Sequence, residues 1–358
     1  MNKRTLGRTG IRVSELCLGT LNFGWGTNRE ESFAILDRYR ADGGDFIQMS
    51  GVSLDATLAP DWTSFSEAYV GEWMRDRAVP RSTLFLSSVL SLTHSGEDGA
   101  VSSKAIVRAC ESSLARLGTD HLDLLLCRWH PSFARADEII GELTGLVKSG
   151  RIRYFGLTGF PLWRAAGTLG LAQRTSLGRM EAFQAPYSLL ENGPNEAQLL
   201  EFCAERRVAL LAQSPLAGGF LAARYDLDSA ALDERTRRLR ATYGNRRGLA
   251  VYSEVESMAD ARGVAPASVA LAWVLAQPVV TAAVIGAKNV WHLRDALRAG
   301  EITLTGAECA RLAHAAELPE AASQAGRRPA RRGRSPFAGA KAALSGARGQ
   351  PQSSLRRL

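Results

Sequence analysis

The sequence is poor in cysteine and has no long apolar run. Its five cysteines are widely scattered, and none lies in a Cys-x-x-Cys pair or beside histidines at metal-ligand spacing. This pattern argues against a small scaffold held together by disulfides, and it gives no indication of a metal site. It predicts free thiols in a reducing compartment. No apolar stretch has the length of a signal-peptide core or of a membrane span. We therefore expect a soluble cytoplasmic protein without a membrane partner.

Acidic residues are absent from the last part of the chain. The net charge of the whole chain is +8, and nine Lys and Arg residues without any Asp or Glu follow Ser323, so the rest of the chain is close to neutral. The Gly, Pro, Ser, Ala and Arg content of this part lacks apolar periodicity. We predict a folded domain over 1–320 and a disordered basic tail over 321–358. No specific nucleic-acid partner is expected; the tail is either a solvated segment or an electrostatic contact for an acidic partner.

Short aliphatic runs alternate along the chain with amphipathic helical segments, which is typical of repeated βα units around a parallel sheet. Eight such units, with no Gly-x-Gly-x-x-Gly after the first strand, predict a (β/α)8 TIM barrel rather than a doubly wound sheet. A turn at Arg8 to Gly10 predicts an N-terminal β-hairpin that closes the barrel bottom. The eight candidate strands are "LCLGT", "DFIQM", "LFLSSVL", "LDLLLC", "IRYFGLT", "MEAFQ", "VALLAQ" and "TAAVIG".

Several segments in order resemble the aldo/keto reductase family, over roughly residues 3 to 316. They include "LGRTGIRVSELCLGTLNFG", "KSGRIRYFGLT", "QAPYSLLE", "QSPLAGGFL" and "VIGAKNVWHLRDAL". The resemblance implies a barrel that binds NADP(H) and reduces carbonyl groups, using an Asp, a Tyr, a Lys and a His that converge on the substrate.

The positions that match those four catalytic residues hold other side chains. Gln48 stands at the aspartate, Ser53 at the tyrosine, Val89 at the lysine and Arg128 at the histidine. A serine is far less acidic than a phenol of pKa about 10, and an arginine stays protonated at any working pH. Because losing a positioned general acid lowers the rate by about 10²- to 10⁴-fold, we expect carbonyl reduction by the family's ordinary mechanism to be very slow.

The segments that match the family's cofactor site are partly retained. "SPLAGG" resembles the diphosphate loop and "GAK" the segment for the adenosine 2′-phosphate. Departures lie at Gln213, where the family stacks a tyrosine, at His292, where it has a glutamine, and after Thr158, where an asparagine is lost. The resemblance implies these cofactor-binding residues: Gly19, Thr20, Thr158, Gln184, Gln213, Ser214, Leu216, Gly218, Gly286, Lys288 and His292.

Other polar residues follow the predicted strands. His130 is the first candidate for an acid or base because imidazole titrates in the useful range, although a lone loop histidine is more often a bystander. Arg128 would bind an anion or oxyanion, and Gln48, Ser53 and Ser88 would orient a polar or anionic small-molecule substrate. His94, Trp25 and Trp62 either line the pocket or are ordinary surface-loop residues.

Three hypotheses remain open at this stage. The favoured one is a repurposed enzyme that keeps the barrel and a partial NADP(H) site but performs different chemistry. The second is a catalytically inactive protein that senses the cofactor or binds a protein partner. The third is an ordinary NADP-dependent carbonyl reductase whose catalytic groups lie elsewhere in the chain.

Overall fold

The computed structural model describes residues 1–50, 65–90, 103–128, 136–191, 196–222 and 234–317. Eight parallel strands close into a barrel in chain order, and the last pairs with the first. The N-terminal hairpin is β1 (Lys3–Thr5) and β2 (Arg12–Ser14); the barrel is β3 (Leu16–Gly19), β4 (Phe46–Ser50), β5 (Phe85–Leu90), β6 (Leu122–Arg128), β7 (Ile152–Thr158), β8 (Ala182–Pro186), β9 (Ala209–Gln213) and β10 (Val280–Gly286). The predicted hairpin, all eight strands and the barrel are confirmed. The predicted tail at 321–358 lies outside the described residues.

Helices surround the barrel and cover its outer face. They are α1 (Arg29–Ala41), α2 (Phe65–Asp76), α3 (Ser103–Leu117), α4 (Ala136–Lys148), α5 (Leu162–Arg174), α6 (Glu196–Arg206), α7 (Glu234–Tyr243), α8 (Arg246–Arg262), α9 (Pro266–Leu275), α10 (Val290–Leu297) and α11 (Gly306–Ala316). Asn28 caps the start of α1 by accepting a hydrogen bond from the Glu31 amide, and Gly118 follows α3 with a φ of 67° that favours glycine. No helix within the described ranges is both long and apolar enough to cross a membrane.

The hairpin closes the bottom of the barrel, as the sequence predicts. Leu6 and Val13 are completely buried and belong to the cluster of apolar side chains inside the barrel. Arg4 donates hydrogen bonds to the carbonyl oxygens of Gln277 (3.3 Å) and Val280 (2.8 Å). These bonds tie the hairpin to the strand that completes the barrel, so the opposite end is left as the entrance.

A buried ion pair joins α2, α3 and β5. The carboxylate of Glu67 is fully buried; it accepts hydrogen bonds from Nε (2.8 Å) and Nη2 (2.5 Å) of Arg116 and from Oγ of Ser88 (2.6 Å). The two helices approach closely at Gly71, where an added Cβ would stand 2.6 Å from the Leu117 carbonyl oxygen. Three donors satisfy the carboxylate, which is the condition for keeping a charge buried.

The five cysteines are free thiols, as predicted, and four of them are buried. Burial raises the pKa of Cys110, Cys127 and Cys203 to about 12, so these thiols stay protonated at neutral pH. They are core residues rather than nucleophiles.

Candidate active site

Four polar side chains face the barrel interior in its C-terminal half. Gln48 on β4 lies in register with Ser87 on β5, and Thr158 on β7 lies in register with Gln184 on β8. All four are at least nine-tenths buried, and none of them carries a charge. We call these four residues the polar floor, since they form the base of the space that opens toward the strand ends.

Gln48 and Gln184 bind each other across the barrel. Their strands, β4 and β8, stand opposite one another in the closed barrel, with three strands between them on either side. Nε2 of Gln48 donates to Oε1 of Gln184 at 2.8 Å, and Nε2 of Gln184 donates to Oε1 of Gln48 at 3.2 Å. The two amides therefore form a reciprocal pair over the barrel axis.

The two hydroxyls of the polar floor find no hydrogen-bond partner in the described part of the chain. Both Oγ of Ser87 and Oγ1 of Thr158 are buried and unsatisfied. A buried hydroxyl without a partner costs about 1 to 3 kcal/mol, so nearly every such group in a folded protein is paired. These two atoms are available to a polar group that enters the barrel.

Arg128 brings a positive charge to this end of the barrel. It is the last residue of β6 and lies in register with Thr158, and no carboxylate within the described residues forms an ion pair with it. Its side chain remains accessible, yet burial lowers the pKa of its guanidinium below the ordinary value. A partly desolvated guanidinium with no counter-ion among the described residues is suited to binding an anion in a forked geometry.

A tight loop after β9 carries the residues that match the diphosphate segment. Ser214, Ala217, Gly218 and Gly219 all have positive φ, at 52°, 49°, 67° and 104°. Turns built from such residues form concavities lined by backbone N–H groups that bind anions. Leu216, within the loop, is half-buried, as is Gln213 at the end of β9.

Helix α7 holds this loop in place. Arg235 donates to the carbonyl oxygen of Gly218 at 2.9 Å, and an added Cβ on Gly218 would stand 2.9 Å from Cδ2 of Leu239. The positive φ favours glycine at this position, whereas the Leu239 side chain could move aside for a larger residue.

The next strand, β10, leads to the segment that matches the 2′-phosphate site. Gly286 and Lys288 are exposed, and Lys288 has no ion pair with a described residue. The Lys288 carbonyl oxygen accepts from Thr27 Oγ1 at 3.2 Å, which fixes the backbone there. His292 lies in the first turn of α10, where its amide is capped by Oδ1 of Asn289 at 2.9 Å. An exposed lysine on the strand connection next to the loop that matches the diphosphate segment is suited to binding a phosphate group.

Three exposed tryptophans stand on segments that follow strand ends. Trp25, in the loop after β3, is 52% exposed, and Trp163 and Trp291, each the second residue of its helix, are 70% and 69% exposed. Single exposed apolar side chains are common on protein surfaces, so exposure alone assigns no function to these three. Trp25 is the one among them that the sequence offers as a pocket candidate.

Comparison with known proteins agrees with the barrel fold. The model of the aldo/keto reductase family matches residues 15–317. The chain belongs to the aldo/keto reductase family. An uncharacterized oxidoreductase of Bacillus subtilis, YrpG, is 33% identical to it over 305 residues, which cover 84% of this chain and 91% of that protein.

Other aldo/keto reductase relatives are more distant. Protein tas of Escherichia coli is 29% identical over 331 residues, covering 85% of this chain and 94% of that protein. Norsolorinic acid reductase B of Dothistroma septosporum is 26% identical over 324 residues, covering 86% of this chain and 80% of that protein. These similarities extend over most of each chain, so they concern the barrel as a whole.

The aldo/keto reductase pocket of this chain differs from the sequence prediction at Ser88. Its side chain faces the helices and donates to Glu67, so the predicted pocket role is wrong in position. Side chains alternate along a strand, and Ser87 is the serine that faces inward with Val89. The sequence contains this signal, because Val89 matches an inward-facing catalytic position and Ser87, two residues before it, faces the same side of the strand.

Thr20 also differs from its predicted role. It is completely buried; its Oγ1 lies 2.6 Å from Oγ of Ser66 and donates to the Gln48 carbonyl oxygen at 3.3 Å. Its hydroxyl therefore joins the loop to α2 instead of facing a cofactor. Gly19 lies close to the next strand, because an added Cβ would stand 3.1 Å from Cγ1 of Val284.

Two predicted catalytic residues, Ser53 and His130, lie outside the described residues, as do His94 and Trp62. Among the described ones, the structure brings Gln48, Thr158, Gln184 and Arg128 together inside the barrel, and the loop after β9 lies on the strand next to the one that leads to Lys288.

Proposed function

We propose that this chain is a repurposed aldo/keto reductase that binds NADP(H) and acts on a polar or anionic small molecule held by Arg128. The observation that carries the proposal is the polar floor. Its members are amides and hydroxyls, and the inward neighbour Val89 is apolar, so the polar floor and Val89 offer no group that readily gives or takes a proton. His130 stays the first candidate for an acid or base.

The replacement of the family's ion pair is internally consistent. The positions that match the aspartate and the lysine hold Gln48 and Val89, both neutral, so no buried charge is stranded by the loss of its partner. Arg128 stands at the position that matches the histidine, as a permanent cation that cannot serve as an acid or base at working pH. We infer that catalysis here relies on binding an anion or a developing negative charge rather than on a phenolic proton donor.

Three groups of residues support the cofactor proposal. The loop of Ser214–Gly219 would hold the diphosphate, Lys288 would bind the 2′-phosphate as a point charge, and Gln184 with Thr158 would bind the nicotinamide carboxamide. The unpaired hydroxyl of Thr158 fits such a partner. When bound, the cofactor supplies a hydride. The names oxidoreductase and reductase, given to the relatives described above, agree with redox chemistry for this chain.

Titration with NADPH and NADH tests the cofactor site. We expect NADPH to bind with a Kd on the order of micromolar and more tightly than NADH, because Lys288 adds a charge-assisted contact to the 2′-phosphate. Lys288→Ala should weaken NADPH binding about tenfold, or about 1.4 kcal/mol, and leave NADH unchanged. Lys148→Ala is the matched control, since Lys148 is an exposed lysine at the end of α4.

The outcome separates the open hypotheses. Binding measured by calorimetry with the expected Lys288 dependence supports a redox or cofactor-sensing role. No binding of either nucleotide at millimolar concentration would contradict the cofactor proposal and would favour non-redox chemistry or a protein-binding role on this scaffold.

A further inference from the structure

In the reciprocal amide pair, Gln48 makes to Gln184 the same two hydrogen bonds that a primary amide of a ligand could make. Each primary amide donates one hydrogen bond and accepts one from the other, at 2.8 and 3.2 Å. Both side chains are buried, and the hydroxyls in register with them, of Ser87 and Thr158, have no partners. Thus the glutamines satisfy each other while the hydroxyls beside them remain unsatisfied.

We propose that the Gln48 side chain acts as a latch. In the ligand-free barrel it occupies the position on Gln184 where the primary carboxamide of a ligand binds. The proposal rests on the NADP(H) site proposed above, since nicotinamide carries such a group. The binding of that group requires Gln48 to leave Gln184, and the free energy of this exchange contributes to the affinity for the nicotinamide end of the cofactor.

The chemistry of Gln184 in this pair selects the ligand group. Whatever replaces Gln48 must present a carbonyl oxygen and an N–H side by side, as a primary carboxamide does. A carboxylate offers only acceptors and an ammonium only donors, so either would leave half of the Gln184 amide unpaired at a buried site. The pair therefore discriminates in favour of a planar, neutral amide.

The unpaired hydroxyls supply partners for the exchanged state. Neighbouring strands lie about 4.7 to 4.9 Å apart, so side chains in register that face the same side are direct neighbours. A turned Gln48 amide can thus reach Ser87, its register partner, and a carboxamide on Gln184 can reach Thr158. The latched state leaves both hydroxyls without partners, and the exchanged state pairs both.

The balance between these states sets the measured affinity. For a ligand that needs the open form, the apparent Kd is the intrinsic Kd divided by the fraction of molecules in which the latch is open. A ligand that lacks the nicotinamide end does not need that form, and its affinity is independent of the latch. The two kinds of ligand therefore report separately on the latch and on the phosphate site.

Calorimetry on the full chain with NADPH and with adenosine 2′,5′-bisphosphate tests the latch. Gln48→Met keeps the length of the side chain but removes its amide, and we expect it to tighten NADPH binding about tenfold without changing the bisphosphate Kd. Ser87→Ala removes the acceptor for the open latch and should weaken NADPH binding about threefold. Gln277→Met, at the barrel bottom, is the control and should alter neither Kd.

Each result decides between the proposals. If both ligands bind the wild-type protein but Gln48→Met leaves the NADPH Kd within about twofold, the latch is wrong and the cofactor site stands. If neither ligand binds the wild type or the variant, both the cofactor site and the latch are overturned. Melting temperatures identify a variant that fails to fold, and Ser87→Ala then provides the independent measurement.

Discussion

Arg128→Ala is expected to abolish turnover and to weaken the binding of a small carboxylate probe such as benzoate by about 10- to 100-fold, because hydrogen bonds to a charged group contribute about 1.5 to 3 kcal/mol. Arg128→Lys keeps the charge but loses the planar fork of the guanidinium, so its probe affinity should lie between those of the wild type and Arg128→Ala. The measurements are calorimetry with benzoate and, for any substrate that is turned over, the loss of kcat/KM.

The fold should tolerate the loss of Arg128. Since burial lowers the pKa of its guanidinium, the charged form is disfavoured in the folded protein relative to the unfolded chain, and its removal should not lower the melting temperature. Arg174→Ala, at the end of α5, serves as a control for the general loss of a positive charge. Unchanged turnover or probe affinity in Arg128→Ala would contradict the proposed anion site.

Arg116→Ala should destabilise the protein by about 3 to 5 kcal/mol, because it strands the fully buried Glu67 carboxylate. The double variant Glu67→Gln/Arg116→Met should recover most of this loss, since a neutral amide can still accept from Ser88. Urea unfolding of the two variants and the wild type measures both effects.

A small loss in the single variant would contradict this account of the ion pair. A loss below about 1 kcal/mol in Arg116→Ala would mean that Glu67 does not depend on Arg116 for its burial.

The barrel could be predicted from the sequence because each strand and helix has a local pattern. The alternation of aliphatic runs with amphipathic segments marked all eight strands, and the turn at Arg8 to Gly10 marked the hairpin. Ser88 shows the limit of matching segments to a family, since a one-residue choice on a strand moves a side chain from the interior to the helix layer. Strand alternation alone would have selected Ser87.

The cross-barrel contact has no local signal. Gln48 and Gln184 are 136 residues apart in the chain, and their contact exists only because closure places β4 opposite β8. The missing partners of Ser87 and Thr158 are equally invisible in a sequence, because satisfaction of a hydroxyl depends on three-dimensional neighbours. Such residues are found by following strand order around a closed barrel rather than by reading motifs.

The polar floor also has a consequence for the range of conditions in which this protein works. Amides and aliphatic hydroxyls keep the same protonation state from mildly acidic to mildly alkaline solution, and the guanidinium above them remains a cation throughout. The interior around a bound molecule therefore presents one fixed electrostatic environment in all of these solutions. Any acid or alkaline limit on ligand binding would then originate in the ligand itself or in groups nearer the entrance.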